Sequence, residues 1–161
     1  MLIHEITEDE CRTALEHADF GRLACVHGGQ PYIVPVNFSY DGRHIYGVTT
    51  LGQKVEWLRS NPLVCLEMDE RVDAQQWLSV VVLGRFEEIP DTPRYHHIRV
   101  QALEALQKHT LWWEPACVAV EGREQRPTIF YRIEIEQVTG RRATPNAIGA
   151  AVFDAENGRG K

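Results

Sequence analysis

The chain lacks the features of a nucleic-acid-binding, membrane-spanning or disulfide-stapled protein. Its 17 Lys and Arg are outnumbered by 23 Asp and Glu, a formal charge of −6 over 161 residues, so nucleic-acid binding would need a local basic patch. The basic residues are scattered, and the densest spot, Arg141-Arg142, has no interleaved aromatics on which bases stack. No nucleic-acid partner is expected. The start, Met1-Leu2-Ile3-His4-Glu5, has no basic segment leading into an apolar one, and no stretch approaches the roughly 18 apolar residues of a membrane span. A cytoplasmic location and no membrane partner are therefore expected. The cysteines at 11, 25, 65 and 117 form no Cys-x-x-Cys pair and have no histidine at zinc-ligand spacing. They read as reduced, mostly buried thiols, and no metal is expected. There is no internal repeat and no Gly-x-x-x-x-Gly-Lys-Ser/Thr loop.

What is present is an ordinary globular composition, 43% hydrophobic and 25% charged, sized for one domain with one core. Thr7-Glu8-Asp9-Glu10 is a capping-box pattern, and Cys11, Ala14, Leu15 and Ala18 recur at the spacing of one helical face. Residues 21–26 read as a strand with 27–30 as its turn. Tyr32, Val34, Val36, Phe38 and Tyr40 then alternate with Ile33, Pro35, Asn37 and Ser39, a strand over 32–40 with one fully apolar face. Pro35 cannot donate to a ladder, which places that strand at an edge, at a bulge or opened toward something other than a strand. Asp41-Gly42 predicts a two-residue hairpin returning over 43–49. A helix over 53–60 buries Val55 and Leu58 and is ended by Asn61-Pro62. Strands follow at 63–69 and 77–89. Thr92-Pro93 opens a helix carrying Tyr95, Ile98, Ala102 and Leu106 as far as about His109. Alternation of Ile129, Tyr131, Ile133 and Ile135 marks a final strand. About six strands with helices at the start, after the third strand and before the last predict a closed or partly closed antiparallel barrel.

One segment has the chemistry of an anion site. A strand ends in Thr49-Thr50, Gly52 permits close approach, and a helix begins at Gln53 with Lys54 in its first turn. Helix-start amides, two hydroxyls and an ammonium together suit a phosphate. On spacing alone, an ordinary strand-to-helix connection with an exposed lysine is the simpler reading.

Gly21-Arg22-Leu23-Ala24, then Pro31 through Phe38, then Gly52-Gln53-Lys54 with Leu58 and Asn61-Pro62 resemble, in this order, the pyridoxamine 5′-phosphate oxidase-like, FMN-binding split-barrel superfamily. Within it they resemble most the nitroimidazole-resistance, or flavin-nucleotide-binding, branch. Trp77 through Arg85, and Tyr131-Arg132-Ile133 through Thr139-Gly140-Arg141-Arg142, resemble its later strands, so the likeness spans Thr7 to Ala143. It implies a mainly β chain, a six-stranded antiparallel split barrel with flanking helices over residues 1–143, followed by a tail over 144–161. It further implies FMN as cofactor, with Thr49, Thr50, Gln53 and Lys54 at the phosphate, Pro35, Val36 and Asn37 along the isoalloxazine ring, and Val48 also among the cofactor-binding residues. Trp77 matches a position that closes over the flavin, often across a homodimer interface. Deazaflavin, FAD and haem are the alternative cofactors. Two positions depart from the pattern: Gln53 stands where relatives often carry Arg or Lys, and Gly47 where nitroimidazole-resistance relatives commonly have His.

The implied activity is that of an FMN-dependent oxidoreductase, which passes electrons from a reduced nicotinamide to a small organic acceptor. The alternative is a module that binds, stores or senses flavin or haem without turnover. No side chain is assigned as a catalytic acid or base. His96-His97 and His109 read as solvated helix-face residues rather than haem ligands. Trp112-Trp113 suit a pocket wall and a core or subunit contact equally. Asp69, Glu70 and Asp73 read as a solvated turn rather than a carboxylate pair.

Overall fold

A computed structural model describes residues 1–108 and 127–146; the readings at His109, Trp112-Trp113, Cys117 and the tail beyond residue 146 fall outside them. The chain begins with a strand that sequence reasoning missed, β1 (Leu2–Ile6). Four of its five residues are exposed, so it shows no buried alternation and forms because it pairs with the end of the last strand. Helix α1 (Glu8–His17) starts at the expected cap. Thr7 Oγ1 accepts from Glu10 N at 3.3 Å, while Glu10 Oε2 accepts from Thr7 N at 2.9 Å. Cys11 and Leu15 on its inner face are fully buried.

Strands β2 (Phe20–His27) and β3 (Gln30–Asn37) form a tight hairpin. Its loop, Gly28-Gly29, has φ of 56° and 80°; two consecutive positive values match the right-handed strand twist and are cheap only for glycine. The eight-stranded antiparallel sheet runs β3-β2-β6-β7-β8-β5-β4, with β1 also on β8. Pro35 therefore sits on an edge strand, as its missing donor requires.

The strand expected over 32–40 is in fact two strands. β3 stops at Asn37, and β4 (Ser39–Tyr40) pairs with β5 (His44–Thr50) at the opposite edge of the sheet. Between them Phe38 is fully buried, and its N–H donates to Asp19 O at 2.9 Å instead of to a ladder. One residue can join the two edges only because the sheet is rolled until they face each other without pairing, which is the split of the barrel. Both strands face the same core, so the alternation runs through the break without a signal. The following turn is shifted by one residue from expectation: Asp41 N donates to His44 O at 3.2 Å, leaving Gly42-Arg43 as the loop, with Asp41 Oδ1 accepting from Arg43 N and His44 N.

Helix α2 (Gln53–Ser60) buries Val55 and Leu58 as expected. β6 (Leu63–Arg71) and β7 (Trp77–Glu88) follow. Thr92 heads a 3-10 turn (Pro93–Tyr95) without a side-chain cap bond, and α3 proper spans His96–Leu106. The last strand, β8 (Thr128–Thr144), is 17 residues long. It outruns the alternation because of a bulge opposite Leu83 and Gly84, where Glu136 is unpaired in the register. Inward positions switch there from Ile133 and Ile135 to Val138 and Gly140, which hides the continuing strand from a period-two reading. Glu136 instead points outward and accepts from Arg85 Nε at 2.6 Å. Expected six, the strands number eight among the described residues.

The main core lies inside the rolled sheet, with Leu23, Leu66, Val80, Val82, Ile45 and Ile133 under the lids of α1 and Leu58. A second cluster forms on the other side of β5 and β8, where Tyr46, Val48 and Phe130 pack against Ala102, Ala105 and Leu106 of α3.

Candidate flavin-phosphate site

The start of α2 is an open anion cradle. Gly52 is its N-cap, and no side chain caps the turn; the first helical bond, Glu56 N to Gly52 O, is 3.1 Å. The N–H groups of Gln53, Lys54 and Val55 thus point out of the helix end without a side-chain acceptor. The Gly52 backbone is extended, φ −176°, which any residue adopts, so its contribution is the absent side chain. Lys54 is half-buried, and among the described residues it joins no ion pair. Burial lowers the pKa of its ammonium, with the neighbouring Cys25 thiol acting weakly in the opposite direction. Burial likewise raises that of the Cys25 thiol. A desolvated cation without a counter-charge is costly, and an anion at the helix start would remove the cost.

The two threonines do not act as a matched pair. Successive strand residues face opposite sides: Thr49 shares the side of Ile45 and Gly47, while Thr50 shares that of Tyr46 and Val48. The side chain of Val48 is committed to the α3 cluster, which leaves only its backbone toward the cradle. Leu51 N donates to Pro127 O at 3.2 Å, tying the turn to the start of β8. β3 approaches β5 across the split without pairing with it. Pro35 is exposed, Asn37 half-buried and Val36 buried. The segments carrying Pro35, Val36 and Asn37 on β3 and Val48, Thr49 and Thr50 on β5 thus border the same split, and Gln53 and Lys54 follow β5 at the start of α2.

Trp77 does not join them. It pairs with Arg71 and Ala143, whereas Thr50 pairs with Thr128. The intervening length of β8 is roughly 50 Å at the usual rise per residue. Trp77 instead borders a groove of about 530 Å³ formed by β1, β7 and β8.

Two features near the mouth escaped sequence reasoning. Trp57, one turn beyond Lys54, has its ring centre 5.5 Å from those of both His27 (tilted) and Tyr32 (edge-to-face), and His27 Nδ1 lies 2.9 Å from Ser60 Oγ; the i, i+3 spacing from Lys54 was the available signal. Gly47 is opposite Tyr131 in the β5–β8 register, and a Cβ there would overlap the phenol ring, with Tyr131 Cε1 at 2.8 Å. The ring occupies the space a side chain at 47 would need, so a histidine there is incompatible with this Tyr131.

The remaining polar groups are otherwise occupied. Asp69 pairs with Arg22, Asp73 Oδ1 accepts from Gln75 N and Gln76 N at 2.6 and 2.8 Å, and His96 and His97 are exposed. Cys11, Cys25 and Cys65 are free thiols. No helix among the described residues is long and apolar enough to cross a membrane.

The profile of the pyridoxamine 5′-phosphate oxidase family matches residues 7–142. An uncharacterised protein of Rhizobium meliloti is 38% identical over 146 residues, 89% of this chain and 97% of its own length. The crystal structure of an FAD-binding protein from Mesorhizobium loti is 43% identical, with a TM-score of 0.75, covering 89% of this chain and all of that one. The FAD-binding protein of Mycobacterium smegmatis is 25% identical, with a TM-score of 0.66 and the same coverage.

Proposed function

Since the chain belongs to the pyridoxamine 5′-phosphate oxidase family, we propose that the mouth of its split barrel binds a flavin nucleotide by the phosphate and that the protein is a flavin-dependent oxidoreductase. The observation that carries this reading is Lys54: a half-buried ammonium with no carboxylate partner among the described residues, in the first turn of an uncapped helix. That donor set fits an oxyanion such as a phosphate. The FAD-binding proteins of M. loti and M. smegmatis support a flavin as its bearer.

In this reading Lys54 and the amides of Gln53 to Val55 hold the phosphate, Thr49 adds a hydroxyl, and the backbone of Pro35 to Asn37 lies along the ring system. Gln53 is exposed and uncharged, so Lys54 alone neutralises the phosphate from this turn. When bound, the flavin supplies the two-electron hydride chemistry, and the protein supplies position and electrostatics. FMN is the minimal ligand of the cradle, a reduced nicotinamide the donor and a small organic molecule the acceptor. The active unit is a homodimer, because Trp77 can reach such a site only from a second chain.

The test is the visible spectrum of the purified protein, before and after anaerobic addition of NADPH or NADH. A flavin spectrum that bleaches is the expected result. A flavin spectrum that persists makes the protein a non-catalytic flavin module, and a Soret band replaces flavin with haem. A colourless protein that takes up neither FMN nor FAD refutes the reading.

A further inference from the structure

The backbone of β3 keeps one phase from Pro31 to Ser39. The two-residue Gly28-Gly29 loop makes His27–Gln30 a bonded pair of the β2–β3 ladder, and bonded pairs alternate with non-bonded ones. Gln30, Tyr32, Val34 and Val36 therefore direct their N–H and C=O groups toward β2, while Pro31, Ile33, Pro35 and Asn37 direct theirs to the free edge. Both prolines stand where β2 needs no donor. Phe38 continues the alternation by donating to Asp19 O, on the β2 side. Ser39 then faces β5: Asp41 and His44 are bonded across the turn, and two residues farther along so is the pair Ser39–Tyr46.

On β5 the same alternation turns the backbone groups of His44, Tyr46, Val48 and Thr50 away from β8. β4 covers only Ile45 and Tyr46, so Val48 and Thr50 face the split with no strand paired to them on that side. The two edges therefore match in phase, are joined by Phe38 and are already bonded at Ser39–Tyr46. Continued from there, a closed barrel would need two more bonded pairs, Asn37 with Val48 and Pro35 with Thr50, before β5 ends and α2 begins. The second of these cannot form. Pro35 has no N–H, and its Cδ stands where the hydrogen would be, holding an opposing carbonyl away. It is the pair beside the Thr49–Lys54 turn, and without it Asn37–Val48 is left as a fraying end. Pro31 shares the phase of Pro35, but its counterpart in such a ladder falls at Lys54, inside α2.

We propose that Pro35 is a positioning residue for the ligand mouth: by blocking the pair with Thr50 it stops β3 from zipping onto β5 and keeps the split open as a slot for the ligand's planar ring. The proposal rests on the flavin reading for the identity of the ring, and on the sheet alone for the open split.

The test compares wild-type protein with Pro35→Val, Pro35→Ala and Pro31→Val, by amide hydrogen exchange of the ligand-free proteins and by fluorescence titration with riboflavin and FMN. Val or Ala at 35 supplies the missing donor, and the Val48 and Thr50 amides should exchange about tenfold more slowly or less. Riboflavin and FMN should weaken alike, unlike the phosphate-selective loss expected at Lys54. Slowed exchange and lost affinity both read the fraction of open molecules, so the two factors should agree within about twofold. Pro31→Val removes a proline from the same strand without a partner for its new N–H, and should leave both measurements at wild-type values. Its Tm also serves as the reference: Pro35→Val should melt no lower. If neither amide slows, the proposal is overturned, whatever happens to binding. Slowed amides with unchanged flavin affinity overturn it as well, since the ligand then does not need the open split. A wild-type protein that binds neither flavin refutes the flavin reading, and the exchange comparison still decides whether Pro35 holds the split open.

Discussion

Replacing Lys54 with methionine should separate binding from stability in opposite directions. The ammonium is half-buried and unpaired among the described residues, so in the ligand-free protein it carries a desolvation cost and returns no ion pair. Methionine keeps the apolar stem and approximate length while deleting the charge. The ligand-free variant should therefore be as stable as wild type or more stable, by on the order of 1 kcal/mol. Binding should suffer: a charge-assisted contact to phosphate contributes about 1.5–3 kcal/mol, which at about 1.4 kcal/mol per decade weakens FMN roughly 10- to 150-fold. Riboflavin has the same ring and no phosphate, so its affinity should be unchanged. Urea denaturation of the ligand-free proteins and fluorescence titration with both flavins measure the two effects. Equal losses for FMN and riboflavin would show that Lys54 does not face the phosphate. A ligand-free variant destabilised by more than about 1 kcal/mol would show that the ammonium has a structural partner.

The same residue gives a pH dependence of definite sign. Its native pKa lies below the ordinary lysine value, so the burial penalty is fully present below the native pKa and lifts as pH rises from there toward about 10.4, where the unfolded chain still holds the proton. Ligand-free stability should rise across that window in wild type relative to Lys54→Met, while FMN affinity falls across it. Tyr46 Oη is buried and has no partner at hydrogen-bond geometry among the described residues, and burial, followed by the nearby Asp41 carboxylate, pushes its pKa up to about 12. Tyr46→Phe should stabilise the protein by about 1 kcal/mol, a rise of about 2–4 °C in Tm; a fall in Tm would reveal a partner for the hydroxyl. Gly47→Ala should cost about 1–3 kcal/mol through overlap with the Tyr131 ring, and in a double-mutant cycle Tyr131→Leu should recover part of that loss. Thr7→Ala should cost about 1 kcal/mol by removing one half of the α1 cap, measured by denaturant midpoint.

What could be read from the chain was whatever local chemistry determines. The Gly28-Gly29 turn, the Thr7–Glu10 cap and the Val55–Leu58 face each depend on residues within one turn of one another, and each appears in place. Pro35 was legible for a different reason: a missing donor limits where a strand can sit regardless of the fold around it. The failures share a cause too. β1 owes its existence to β8, more than a hundred residues away, and exposes most of its side chains. The break at Phe38 and the bulge at Glu136 are decisions of the sheet, taken where two strands face one core or where an extra residue reverses the inward phase. In the site, the named residues of β3 and β5 border the same split, because one residue, Phe38, links the two edges of the sheet. Trp77 stays apart because pairing register, invisible to a linear reading, sends it to the other end of β8. The Gly47–Tyr131 overlap was hidden for the same reason, since nothing in either residue's neighbourhood names the other.

The length and reach of β8 also set the order in which the protein can assemble. The β2–β3, β4–β5 and β6–β7 hairpins close over short spans and can form early. β8 must find β5 across roughly eighty residues and β1 across well over a hundred, contacts whose chain-closure entropy makes them slow. The Thr49–Lys54 turn is tied to β8 through the Thr50–Thr128 pairing and the Leu51–Pro127 bond, so it belongs to the last-formed part of the fold. A nascent chain would then stay unable to retain its cofactor until the final strand had docked, and a supply of flavin would act on refolding yield by trapping that last step rather than by speeding the first.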